Sequence, residues 1–121
     1  MHFFTDLYPV SRTLVLRSGA SEGLTWSPPT DIYETGQAYI VVMEIAGLAR
    51  EAIRISFLHD MLTVTGERSD EAKPESVRYS QMEINYGSFQ KEIHFPNPID
   101  RAGISAHYRE GFLKVVLPKQ P

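Results

Sequence analysis

From Asp31 to Leu117 the chain repeats one pattern: short runs in which apolar and polar residues alternate, each closed by glycine, proline or a pair of polar residues. A period of two belongs to strands with one face buried, and no helix-period segment of ten or more residues breaks the series. Ile53, Ile55 and Phe57 alternate with Arg54 and Ser56. His59-Asp60 makes a tight turn, after which Leu62 and Val64 continue inward while Thr63 and Thr65 face out. Ala38 to Ile45 is apolar on both faces, which marks a well-buried strand. Phe89, Ile93 and Phe95 form a further row, as do Ile104, Ala106 and Tyr108. Arg109-Glu110-Gly111 then turns the chain into Leu113, Val115 and Leu117. The expected fold is all-β, an immunoglobulin-like antiparallel sandwich of seven to eight strands. Ala46 to Ala52 is the one helical candidate in this zone, and Gly47 limits it to one turn at best.

The rest of the chain is read against that body. Residues 1–27 form a short N-terminal arm, flexible or a short helix, with Phe3, Phe4, Leu7 and Tyr8 at helical spacing before Pro9 stops them. Pro28 and Pro29 force an extended start to the domain, which runs over residues 28–118 and leaves 119–121 as a short tail. Glu67 to Val77 is too polar for a core and too long for a hairpin turn, a length that usually carries function or disorder. Arg78 to Glu83 regains strand character.

Composition excludes several classes. With 121 residues, 42% of them apolar, one core can form without staples. No cysteine is present, so disulfides, thiolate metal sites and cysteine nucleophiles are ruled out, and a reducing, cytoplasmic setting fits. The net charge of -3 and the lack of any like-charge block argue against nucleic acid as a partner. The longest apolar run, Ala38 to Met43, is far short of a membrane span, and no signal peptide opens the chain. His2, His59, His94 and His107 are scattered without metal-ligand spacing, and no phosphate loop or nucleophile elbow occurs. No catalytic residue, metal ligand or cofactor site is expected. What the pattern offers is strand edges, which recruit other chains unless blocked. Arg78, Tyr79, Ser80, Gln81, Met82 and Glu83 form such an arm in one reading and an ordinary surface hairpin in the other.

Six motifs, in order and at normal spacing, resemble the small heat-shock proteins and their α-crystallin domain. Pro28-Pro29-Thr30-Asp31-Ile32-Tyr33-Glu34 is similar to the family's first domain strand, usually Pro-x-Val-Asp-Ile-x-Glu. Ala38-Tyr39-Ile40-Val41, followed by Glu44-Ile45-Ala46-Gly47-Leu48, is similar to its next strand and turn, with Ala46 where proline is usual. Leu62-Thr63-Val64-Thr65-Gly66-Glu67-Arg68 and Tyr86-Gly87-Ser88-Phe89 before Phe95-Pro96 follow. Ala106-x-Tyr108-x-x-Gly111-Phe112-Leu113-x-Val115-x-Leu117-Pro118-Lys119 matches the pattern that closes these domains.

The resemblance implies a chaperone that works without ATP, as a homodimer with higher homo-oligomers also open to it. It implies that Arg78 to Glu83 pairs with Asp31, Ile32, Tyr33 and Glu34 of a second chain. The strands bearing Ile53, Ile55, Phe57 and Ile104, Ala106, Tyr108 would border an apolar groove. In relatives this groove takes an Ile-x-Ile/Val segment from another subunit's tail, a motif not found before Pro121. Unfolding client proteins would be held through Phe3, Phe4, Leu7, Tyr8 and Trp26, each of which could equally cover its own domain. Ile84 stands where bacterial relatives often have arginine, and Lys91 replaces another common arginine. A co-chaperone-like sandwich binding one folded partner is the alternative. Such modules shorten the loop that Glu67 to Glu83 provides here.

Overall fold

The computed structural model describes residues 9–11 and 25–121. Eight strands form two four-stranded sheets packed face to face: β1 (Val10–Ser11), β2 (Thr30–Glu34), β3 (Ala38–Glu44), β4 (Ile53–Leu58), β5 (Met61–Arg68), β6 (Gly87–His94), β7 (Ser105–Arg109) and β8 (Phe112–Pro118). One sheet has the order β1-β4-β5-β6 and the other β2-β3-β8-β7. Every pairing is antiparallel except that of β1 with β4. The all-β sandwich expected from the alternation is the architecture.

Register explains why these segments are strands. Tyr39, Val41 and Met43 of β3 lie opposite Leu117, Val115 and Leu113 of β8, so three inward rows meet across the ladder. Ile55 and Phe57 of β4 lie opposite Val64 and Leu62 of β5, and Leu62 in turn opposes Ile93 of β6. These residues, with Ile45, Phe89, Phe95, Ile99 and Ala106, form one continuous buried cluster. Each large member stabilises the fold by roughly 1.5–3 kcal/mol through burial.

Two hairpins close tightly. His59 and Asp60 both have positive φ, 52° and 60°, and so do Glu110 and Gly111, 53° and 85°. Two consecutive residues of this kind are what a two-residue turn between right-twisted strands requires. Gly111 has a second constraint, because a Cβ there would sit 2.8 Å from the Cβ of Ala46. Gly111→Ala should therefore cost about 1–3 kcal/mol in a urea unfolding midpoint, with the slope unchanged.

Within Ala46 to Ala52 the single turn allowed beside Gly47 is a 3-10 turn at Arg50–Ala52. Two expectations are corrected. Residues 78–83 form no strand, because they pair with no strand of their own subunit. Thr63 and Thr65 occupy outward register positions, opposite Ser56 and Arg54, yet both are buried.

Candidate functional site

The strand β2 lies at the edge of its sheet. On one side Ile32 pairs with Val41 and Tyr33 with Ile40; on the other, no described strand follows. Asp31, Ile32, Tyr33 and Glu34 are all exposed. The far end of β2 is pinned, because Lys119 Nζ reaches Glu34 Oε2 at 2.6 Å and the Thr35 carbonyl at 2.9 Å. The same ammonium lies 5.0 Å from the Tyr39 ring centroid, and the Lys119 amide donates to the Gln37 carbonyl at 2.7 Å. The expected short tail is thus tied to the domain at Lys119.

Residues 69–86, which join β5 to β6, carry no regular structure, and 69–86 are exposed throughout. Val77, Tyr79, Met82 and Ile84 are apolar side chains left in solvent there, Met82 with 73% and Ile84 with 68% of its surface open. Arg78, Ser80, Gln81 and Glu83 are exposed beside them. Among the described residues, no backbone–backbone hydrogen bond ties this segment to either sheet.

The ends of the segment, by contrast, are anchored. Arg68 donates from Nε to the Asn85 carbonyl (2.8 Å) and from Nη1 to the Ala46 carbonyl (2.9 Å). Its guanidinium lies 4.2 Å from the Trp26 ring centroid. Near the start of the segment, Lys73 Nζ contacts both Asp70 carboxylate oxygens at 2.7 Å. This hydrogen bonding to Asp70, with help from Tyr79, holds the ammonium above the ordinary lysine range. Lys73 also lies within 6.0 Å of the Tyr79 and Tyr86 ring centroids. The result is a loop with fixed roots and an unladdered, apolar middle.

The other proposed residues fall in different places. Ile53, Ile55, Phe57 and Ala106 are core residues, while Ile104 and Tyr108 are half-buried against that core. Tyr108 donates its hydroxyl to the Ile45 carbonyl at 2.8 Å. Val10 of β1 packs against the same core from the edge of β4, opposite Ile55. Phe3, Phe4, Leu7 and Tyr8 lie outside the described residues. Trp26 packs on its own domain, one of the two roles open to it. It meets Phe89 edge-on at 5.3 Å and donates from Nε1 to the Gly87 carbonyl at 2.9 Å. The sandwich therefore takes in Thr25 and Trp26, ahead of the two prolines.

Sequence reading missed β1 and the Arg68 clamp. Two residues carry no measurable alternation, and the partner of Arg68 is 42 positions away, so only the fold reveals either. Among the described residues, no three His, Cys, Asp or Glu side chains cluster as metal ligands would. No described helix is long and apolar enough to cross a membrane. The arrangement is suited to pairing with extended polypeptide, through backbone hydrogen bonds along an edge and apolar contact beside it.

Comparison with known proteins gives the family. The model of the Hsp20/alpha crystallin family matches residues 31–121. Small heat shock protein C2 of Rickettsia felis is 29% identical over 119 residues, covering 98% of this chain and 76% of the relative. Small heat shock protein C4 of the same organism is 29% identical over 94 residues, 78% of this chain, which spans only 58% of that relative's length. The crystal structure of a small heat-shock protein from Xylella fastidiosa superposes with a TM-score of 0.72 at 28% identity, covering 80% of this chain and 89% of that one. The chain belongs to the Hsp20/alpha crystallin family of small heat-shock chaperones.

Proposed function

We propose that this protein is an ATP-independent holdase, built on a strand-exchanged dimer and acting in the cytoplasm on partly unfolded clients. One observation carries the reading: an edge at Thr30–Glu34 that no other described strand pairs with coexists with an unladdered segment, 69–86, whose apolar side chains stand in solvent. Each supplies what the other lacks. An edge strand has unmet backbone donors and acceptors, and residues 78–83 have strand-forming side chains with no ladder. Two copies can satisfy both needs twice over around a two-fold axis, giving a closed dimer. The resemblance between sequences supports this pairing of Arg78–Glu83 with Asp31–Glu34 of the other copy. Apolar surface left beside that seam, including Ile84, and the arm residues Phe3, Phe4, Leu7 and Tyr8 would hold clients by hydrophobic contact alone.

The test is light scattering from a heat-denatured client. At equimolar subunits the protein should cut the scattering severalfold, and equally with and without ATP. No suppression, or suppression only with ATP, contradicts the reading.

A further inference from the structure

The chain that leads into β2 also holds the start of β6. Four successive carbonyls there each accept a hydrogen bond. Asn85 accepts from Arg68 Nε at 2.8 Å and Tyr86 from the Thr25 hydroxyl at 2.6 Å. Gly87 accepts from Trp26 Nε1 and Ser88 from the Thr25 amide, both at 2.9 Å. The Arg68 guanidinium, 4.2 Å from the Trp26 ring centroid, joins these donors into one clamp. Its bond to the Ala46 carbonyl, at 2.9 Å, fastens the clamp to the turn after β3. Ile84, the next residue outward from Asn85, stands in solvent.

The same stretch of chain fixes the edge strand. Only Ser27, Pro28 and Pro29 separate Trp26 from β2. Each proline locks its own φ and confines the residue before it to extended backbone. Pro28 is buried, and the Pro29 carbonyl accepts from the Glu44 amide at 3.1 Å. The Ser27 hydroxyl oxygen accepts from Lys91 Nζ at 3.4 Å. Residues 25–29 thus form a stiff bracket. It ties the root of segment 78–84 to the edge at Thr30–Glu34 within one subunit.

A two-fold exchange places a condition on that geometry. Each copy gives a segment and receives one, so both seams close together only if root and edge keep one relative placement in each copy. A root that swings freely must be ordered on association, and a clamped root is ordered beforehand. We infer that Thr25, Trp26 and Arg68 are positioning residues: by clamping residues 85–88 beside the chain that enters β2, they fix the course of segment 78–84 relative to Thr30–Glu34. That this course serves a second copy rests on the strand exchange proposed above; the clamp itself does not. Coupling of this kind is reciprocal, so pairing must also tighten the clamp.

Trp26 is the one tryptophan of the chain, and its indole N–H gives a single NMR signal. In the intact protein this N–H should exchange with solvent at least about tenfold slower than in free tryptophan, and more slowly in dimers than at dilution. Backbone order parameters at residues 85–88 should lie near about 0.85. Arg68→Met keeps the aliphatic stem and removes both donations and the cation. Thr25→Val removes only a hydroxyl. Both should speed indole exchange and bring the order at 85–88 below about 0.6. The dimer dissociation constant, from sedimentation, should rise at least about tenfold in Arg68→Met and about threefold in Thr25→Val. If Arg68→Met fails to fold, Thr25→Val, at an exposed position, decides alone. Indole exchange at the free rate, or order at 85–88 unchanged by the substitutions, overturns the clamp. A dissociation constant that does not move once that order is lost overturns its positioning role and leaves strand exchange standing. An intact protein that is monomeric at every concentration, with order at 85–88 still lost in the variants, overturns strand exchange and leaves the clamp standing.

Discussion

Removing residues 75–82 is expected to give a folded monomer. The segment contributes no backbone ladder to its own sheets, and its residues are exposed throughout, so the core loses nothing when it goes. The roots that close the gap survive, since Arg68 and Asn85 lie outside the deletion and remain joined at 2.8 Å. Unfolding free energy should stay within about 1 kcal/mol of the intact chain, as for changes away from buried features. Association should fall by at least about 100-fold, or roughly 3 kcal/mol, because both exchanged ladders vanish together. Sedimentation velocity gives the mass, and urea unfolding gives the stability. A shortened chain that still sediments as a dimer contradicts strand exchange. One that fails to fold shows that the segment belongs to its own core.

The largest effect on stability is expected at Phe89. Its side chain is fully buried and supports Trp26 edge-on, which in turn lies under the Arg68 guanidinium. Phe89→Ala should cost about 3–5 kcal/mol through lost transfer energy and the cavity left behind. That is a large part of the roughly 5–15 kcal/mol that holds a domain together. The ring fits because its neighbour across the ladder is glycine. A Cβ on Gly66 would lie 2.5 Å from Phe89 Cε2 and 3.0 Å from Leu48 Cδ2. Gly66→Ala alone should therefore destabilise by about 1–3 kcal/mol through overpacking. In the Phe89→Ala background that cost should vanish, because the obstructing ring has gone. The double-mutant cycle, followed by urea unfolding, should give a coupling of about 1–3 kcal/mol, and additive losses would contradict this packing.

The body of the fold was legible because inward and outward positions differ in hydrophobicity. Leu113, Val115, Leu62 and Val64 announce their faces by alternation, and the same rows form the core. The turns at His59-Asp60 and Glu110-Gly111 were legible because polar residues and glycine accept positive φ. Three features escaped for physical reasons. Arg78–Glu83 has the side chains of a strand, but a strand exists only where a ladder does, and these residues form none with their own subunit. Trp26 lies in a weakly patterned stretch, and its hydrogen bond to Gly87 spans 61 positions that no local signal bridges. Thr63 and Thr65 read as solvent-facing because period-two reasoning gives the face and not what covers it. Of the candidate site, the edge residues Asp31–Glu34 and the exposed segment were legible; Val10 at the β4 edge was not.

The central claim is that residues 78–83 of one copy complete the edge formed by Thr30–Glu34 of the other. Hydrogen exchange of the intact protein across its dissociation range tests it without any substitution. The account predicts that amides in both segments are protected at high concentration and lose that protection together, at the same midpoint, as dimers separate, while β3 and β8 stay protected. Residues 78–83 that exchange freely at every concentration, or that remain protected in the isolated monomer, contradict it.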